Sequence, residues 1–168
     1  MAIFLHMPSE SELSSRRFLI ADEATMAYNL GFGDHGGCTY RRTPEEVRCW
    51  YQKWNHGSKN FYAYILRAVD QRPVGEVALS GASEQPMVNV LIEARYRGQG
   101  YGLAALQQLL EYAFCVQRQK AVYDDFPATR LQAEAVFARE GFVRTDSGLL
   151  VCTREAFYAH KRAQLPKN

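Results

Sequence analysis

The sequence predicts an α+β fold, a mixed and mostly antiparallel central sheet with helices on both faces, and three observations predict it. First, Phe61 to Val69, Pro73 to Leu79 and Met87 to Ile92 are short runs rich in aromatic and β-branched residues, separated by turn formers. Connections this short make the runs an antiparallel meander, because a parallel return needs about a dozen residues or more. Second, an apolar helical repeat from about Gly102 to Cys115 leads to a further strand at Lys120 to Phe126. That helix makes the strands on either side of it the one parallel pair, joined by a right-handed crossover. Third, Arg130 to Glu140 reads as a helix ended by Gly141, with Phe142 folding back on Phe137, and a hairpin follows. Its strands, Phe142 to Thr145 and Leu149 to Thr153, close over Asp146-Ser147-Gly148.

The N-terminal third is more helical. Ala2 to Leu5 reads as a short edge strand, and Ser9 with Glu12 forms a capping-box pattern that opens a helix to about Ala21. Asp22 to Tyr28 predicts a second short helix, and the glycines from Gly31 to Gly37 predict a loop. Thr43, Pro44 and Glu46 give a cap, a first-position proline and a capping partner, and Val47, Trp50, Tyr51 and Trp54 then recur along one helical face. An aromatic stripe at this spacing reads first as core and second as the wall of a binding pocket. In the helix after Ile92 the expected buried face is Leu103, Leu106, Leu110 and Ala113, and Lys161 to Asn168 reads as a frayed tail.

With 168 residues, 47% of them hydrophobic, the sequence suits a single domain over residues 1–168. The net charge of +2 is dispersed, unlike the basic stripe of a nucleic-acid binder. No apolar run reaches the roughly 18 residues of a membrane span, and Met1 to Leu5 lacks the basic start of a signal peptide. These features point to a cytoplasmic protein that engages neither nucleic acid nor membrane. Cys38, Cys49, Cys115 and Cys152 show no metal-binding or redox spacing and are expected as ordinary buried thiols.

The stretch from Glu93 to Gly102 organises the rest, because a strand runs into it and a helix runs out. Gly98, Gly100 and Gly102 let the backbone turn and approach a ligand without a Cβ in the way. Their free N–H groups, the unpaired donors of the helix start and its positive dipole end together favour an anion, with Arg97 supplying a full charge beside it. The plain alternative is a glycine turn between strand and helix.

Arg97-Gly98-Gln99-Gly100-Tyr101-Gly102 resembles the R/Q-x-x-G-x-G/A acetyl-CoA signature of the GNAT superfamily of N-acetyltransferases. Ala133 through Gly141-Phe142 resembles that family's late helix ending in G-F, and the likeness covers roughly Phe61 to Arg154. It implies a GNAT-like sheet whose parallel pair splays into a cofactor opening. Pantetheine would lie there against the backbone of Val90, Leu91 and Ile92, and pyrophosphate on the N–H groups of Arg97, Gly98, Gln99, Gly100, Tyr101 and Gly102. Arg130 and Phe137 occupy the family's late-helix cofactor positions. The implied reaction is direct transfer of an acetyl group from acetyl-CoA to the primary amine of a small-molecule or peptide acceptor, and the oligomeric state is left open, a homodimer included.

Such a transfer needs a base for the ammonium proton, an N–H donor for the thioester oxygen and an acid for the departing thiolate. The family's usual tyrosine acid falls at Phe137, which cannot donate, and an asparagine usual at the start of that helix falls at Arg130. Either another group such as Tyr123 assists, or the chain binds acyl-CoA without turning it over. Glu76, an acid inside an apolar strand, is the leading base candidate, against the reading that it faces solvent. Asp124 and Asp125, at a strand end, either receive a cationic amine or are simply solvated. His6, His35, His56 and His160 are scattered without partner spacing. Gly100, Gly102 and Ala105 also satisfy a dinucleotide fingerprint with Asp124 as ribose acid, but the polar Glu93 to Arg97 and the preceding meander leave no room for a second nucleotide half.

The two ligand readings separate in a melting experiment. At about 100 times its Kd, acetyl-CoA should add ~2.7 kcal/mol to the folded state, a rise of roughly 5–10 °C in Tm for a chain of this size. NAD should add nothing, and a shift with NAD alone would assign the cradle to the other ligand.

Overall fold

The computed structural model describes residues 2–29, 39–55 and 59–164, so the expected glycine loop at 31–37, Cys38, His35 and His56 lie outside the described residues. Strands β1 (Ile3–His6), β2 (Phe61–Arg67), β3 (Pro73–Leu79) and β4 (Val88–Ile92) form an antiparallel sheet in the order β1-β2-β3-β4. Strands β5 (Ala121–Asp124), β6 (Val143–Arg144) and β7 (Leu150–Thr153) form a second, in the order β5-β7-β6. The helices are α1 (Ser14–Ala21), α2 (Glu23–Met26), α3 (Pro44–Asn55), α4 (Tyr101–Glu111), α5 (Leu131–Ala138) and α6 (Arg154–Gln164). No helix among the described residues is long and apolar enough to cross a membrane.

The strand period sorts side chains between two helical layers. Ala63 and Ile65 of β2 join the large core beneath α4, whereas Tyr62, Tyr64 and Leu66 pack on the other face against Trp50, Tyr51 and Trp54 of α3. The large core continues through Val122, Leu150 and Cys152 into the second sheet, which ties the two sheets into one body. Burying both faces explains why β2 reads as a continuous apolar run and not an alternating one.

Several local expectations change. The Ser9–Glu12 box forms, with Ser9 N–H donating to the Glu12 carboxylate at 2.8 Å. Glu12 N–H, however, donates to the Ser9 carbonyl at 3.0 Å, an i to i+3 bond that tightens residues 10–12 into a 3₁₀ turn and delays the α-helix to Ser14. Helix α4 gives way at Tyr112–Val116 to a π-helical turn. Its buried face is Tyr101, Ala105, Leu106, Leu109 and Leu110, with Leu103 only half-buried, because α4 packs against β1, β3, β4 and α5, and in the π-helical turn Phe114 meets Phe157 of α6 at 5.0 Å. The expected tail is helical as far as Gln164, capped where Thr153 Oγ1 accepts from Ala156 N–H at 3.1 Å, and 165–168 lie outside the described residues. Of the cysteines, Cys152 is buried, its thiol pushed up to about 12 by burial, whereas Cys49 and Cys115 are exposed on helical surfaces. The late-helix turn forms as expected: Phe142 N–H donates to the Phe137 carbonyl at 3.2 Å, and the two rings meet edge to face at 4.8 Å.

One glycine fixes how closely β3 and β4 approach. A Cβ on Gly75 would stand 2.1 Å from the Leu91 carbonyl oxygen, which is backbone and cannot swing aside. Gly75→Ala should therefore cost about 1–3 kcal/mol or more in a denaturant titration. A loss under 0.5 kcal/mol, the range of an ordinary surface change, would mean the sheet accommodates the methyl group.

Candidate active site

The expected parallel pair is one bridge long: Met87 pairs with Tyr123, whose N–H donates to the Pro86 carbonyl at 2.8 Å, and beyond that point β4 and β5 part. β5 is held from its other side by β7, with Ala121 opposite Thr153 and Asp124 opposite Leu150. The ladder to β3 decides which groups of β4 are left over. Ser80 N–H donates to Met87 and Glu93 N–H to Val74, each at 2.9 Å, so by antiparallel alternation Asn89 and Leu91 are also bonded to β3. Val88, Val90 and Ile92 then turn their backbone groups outward. The Val90 peptide groups and the Ile92 N–H face the opening, while the Ile92 carbonyl accepts from Arg97 Nε at 3.2 Å. Leu91 spends its backbone on Glu76 and sends its buried side chain to the other face.

At the end of β4 the glycine stretch forms a concave run of donors. Gly98 has φ +72° and Gly100 φ +83°, and an added Cβ at either would meet nothing within 4 Å. The space in front of the backbone is thus open, and both glycines hold a left-handed conformation that other residues rarely adopt. No hydrogen bond within the described residues takes up the N–H groups of Gly98 to Gly102, and they lie at the start of α4, where the helix dipole favours an anion. Arg97 departs from its expected part. Its N–H is spent on the Ala94 carbonyl at 3.2 Å, and its guanidinium turns away to donate to the carbonyls of Ile92, Ala24 and Thr25. Buried Thr25 in turn accepts from Ala94 N–H at 2.9 Å, so α2 is pinned to the turn that carries the donors. Arg97 therefore braces the glycine turn, which leaves the amides and the helix dipole as the groups there that favour an anion.

On the sheet face opposite α4 lies a cavity of about 670 Å³ between α1, α3 and strands β3 and β4. Glu76 projects into it, and the reading that it faces solvent does not hold: it is 5% exposed. Tyr62 donates to one of its oxygens at 2.6 Å and Arg16 donates to the other. The Arg16 guanidinium also lies 3.8 Å above the Trp50 ring and 5.3 Å from that of Tyr62. Burial and the Glu76 charge push the Tyr62 hydroxyl well above the ordinary phenol range. Trp50 and Trp54 line the cavity while Tyr51 donates to the Pro8 carbonyl, so the aromatic face of α3 is both core and wall.

Asp124 ends β5 beside the opening, half-buried, with one oxygen accepting from Asp125 N–H at 2.7 Å. Burial, opposed mainly by that bond and the Arg130 charge, raises its carboxyl to about 7. Arg130 caps α5 with its guanidinium 4.6 Å from the Tyr28 ring and 5.0 Å from that of Phe126. It thereby spans from the second sheet to Tyr28, which also lines the Glu76 cavity. Tyr123 stands at the fork where β4 and β5 part, outside the lining of that cavity. Phe137 is 6% exposed and held between Phe126 and Phe142, so it offers an apolar wall and no reacting group.

Sequence reasoning missed Arg16, Tyr62 and Tyr28. Tyr62 and Tyr64 did carry a signal, aromatics at alternate positions of the strand that pairs with Glu76. Arg16 carried none, since its contact spans 60 residues and α1 has a weak pattern.

The acetyltransferase (GNAT) domain model matches residues 3–143. No curated protein matches the sequence at a significant level. Among solved structures, spermidine N-acetyltransferase from Vibrio cholerae in complex with CoA and spermine superposes with a TM-score of 0.77 at 15% identity, covering 93% of this chain and 98% of that one. Aminoglycoside acetyltransferase AAC(6')-Ib in complex with coenzyme A gives 0.69 at 17% identity, covering 95% and 99%. A GNAT-family acetyltransferase from Bacillus anthracis gives 0.67 at 16%, covering 92% and 96%. At these identities the likeness is one of fold.

Asp124 makes a pH-dependent contribution whose sign is fixed. A carboxyl near 3.8 when unfolded and at about 7 when folded binds more protons in the folded state, so its contribution is most favourable below pH 3.8 and declines as pH rises through 7. Asp124→Asn keeps an acceptor for Asp125 N–H and removes the charge. The Tm of the variant should lie nearest that of the parent at about pH 3.5 and exceed it by a growing margin up to pH 8, and a margin that does not change between these pH values would mean the charge is not confined by burial.

Proposed function

Because this chain belongs to the GNAT acetyltransferase family, whose acetyl donor is acetyl-CoA, we propose that it transfers the acetyl group by direct attack of a primary amine held in the Glu76 cavity. The observation that carries this reading is the double use of β4. Its outward backbone at Val90 and Ile92 borders the opening, while the side chains of Asn89 and Leu91 line the cavity on the sheet face. A donor along the strand edge and an amine on its face then meet across one strand.

Acetyl-CoA, when bound, supplies an activated thioester carbonyl. The amides of Gly98, Gln99, Gly100, Tyr101 and Gly102 are proposed to hold its pyrophosphate, the edge groups of Val90 and Ile92 its pantetheine, and the Val90 N–H the carbonyl oxygen. Arg130 closes the opening from the α5 side. Glu76 is the proposed base, as the one carboxylate among the described residues that is buried at the cavity's sheet wall. Tyr123, at the fork, is the proposed donor to the leaving sulfur, in place of the position that Phe137 fills. A specific observation favours the non-catalytic alternative of an acyl-CoA-binding or sensing module: both Glu76 oxygens already accept hydrogen bonds, from Arg16 and Tyr62.

Turnover decides between the two. A general base or acid typically contributes about 10²–10⁴-fold. Glu76→Gln should lower CoA release by about 10²-fold near pH 7 and by much less near pH 10, where an amine of pKa about 10.4 sheds its proton unaided. Tyr123→Phe should be slower, and equal rates with the parent would remove Tyr123 from the mechanism. A complete lack of CoA release across primary amines, with acetyl-CoA binding intact, would favour the sensing module.

A further inference from the structure

The acceptor cavity already contains a cation, and this bears on which amines it admits. Arg16 comes from α1, pairs with Glu76 and stacks on Trp50, with side-chain exposures of 18% and 7% for arginine and glutamate. A buried carboxylate beneath aromatic rings is the arrangement that would select a polycationic amine. Here a residue of the same chain fills that place, so the pair meets an incoming ligand as a neutral unit.

The guanidinium is not used up by this pairing. Of its five N–H donors, one is spent on Glu76, and although the Tyr62 side chain also interacts with the guanidinium, neither Nε nor Nη2 makes a hydrogen bond of normal geometry within the described residues. Those atoms are not sealed in the core either, since among the described residues only Asn55 carries a fully buried unpartnered side-chain polar atom. The charges at the cavity wall lean the same way. Arg16, Arg42 and Lys53 stand against Glu46 and Glu76, Arg42 pairs with Glu46 at 3.5 Å, and Lys53 has no ion-pair partner among the described residues.

We propose that the free edge of Arg16 is a carboxylate-binding subsite, and that the acceptor is a small amine which itself bears a carboxylate, as amino acids and short peptides do, and not a polyamine. This deepens the reading of the chain as an N-acetyltransferase and rests on it. A guanidinium edge matches a carboxylate with two parallel N–H···O bonds, which an ammonium-rich ligand cannot accept. The aromatic and apolar walls at Trp50, Trp54 and Leu91 would take the body of the ligand, and Lys53 adds attraction at the mouth.

The test compares ligands that differ only in the carboxylate. Dipeptides such as glycyl-phenylalanine, their C-terminal carboxamides, and spermidine are titrated calorimetrically into the CoA-loaded protein, and CoA release is followed separately with acetyl-CoA. The acid should bind about 10-fold or more tightly than its carboxamide, and spermidine more weakly than both. Arg16→Met should abolish the difference. Because it leaves Glu76 unpaired, Arg16→Lys serves beside it and should retain a reduced preference, as a point charge without the fork. Equal binding of acid and carboxamide in every pair, undetectable binding included, or tighter binding of spermidine, would overturn the proposal. The two readings fail separately. A carboxylate preference in binding with no CoA release refutes the transferase and keeps the subsite, while CoA release from spermidine with no carboxylate preference does the reverse.

Discussion

The parting of β4 from β5 beyond the Met87–Tyr123 bridge is the constraint on which the rest of the structure depends. Two parallel strands that separate leave a row of peptide groups without partners, and such groups are costly to bury unless a ligand or solvent takes them. The fold confines the exposure to one edge. β3 holds the inner side of β4, β7 holds the far side of β5, and only Val90 and Ile92 are left facing the opening. The glycine stretch belongs to the same connection, because the strand that diverges leads through a 3₁₀ turn at Ala94–Tyr96 and the glycines into α4.

Keeping the strands apart takes bracing from both ends. On one side, Arg97 and Thr25 fasten the turn to α2. On the other, Arg144 donates to Glu134 on α5, to the Phe126 carbonyl at 3.1 Å and to the Gly148 carbonyl, which locks the end of β5 to the hairpin and to α5. Glu140, 2% exposed, accepts from Gln107 of α4 at 2.8 Å and ties α5 to the crossover helix. Of the charged braces, Arg144 is half-buried and Glu140 buried, and their hydrogen bonds are met within the protein, the condition under which such groups are tolerated near a core.

The Glu76 cavity obeys a different economy. Its carboxylate, guanidinium and phenol hydrogen-bond one another in a small polar cluster walled by aromatic rings. The solved GNAT relatives share the fold at 15–17% identity, a level at which the sheet persists while the side chains on it are free to differ.

By itself the sequence determined the meander, the crossover, the closing hairpin and the glycine turn into α4, because each is a local affair. Strand period, turn chemistry and the glycines are written in consecutive residues and read out within one or two elements. It also located Glu76 as an acid out of place and left open which way it pointed. Tertiary structure alone decided that Glu76 is buried and matched by Arg16 and Tyr62, that Arg97 braces the turn, that Leu91 faces the cavity while Val90 and Ile92 face the opening, and that burial sets the Asp124 carboxyl to about 7. Those outcomes depend on register and on contacts across as many as 73 residues, and on how much water a fold excludes. Neither distance nor dielectric has a local signature in the chain, so the scaffold was legible in advance and the partners of its charged groups were not.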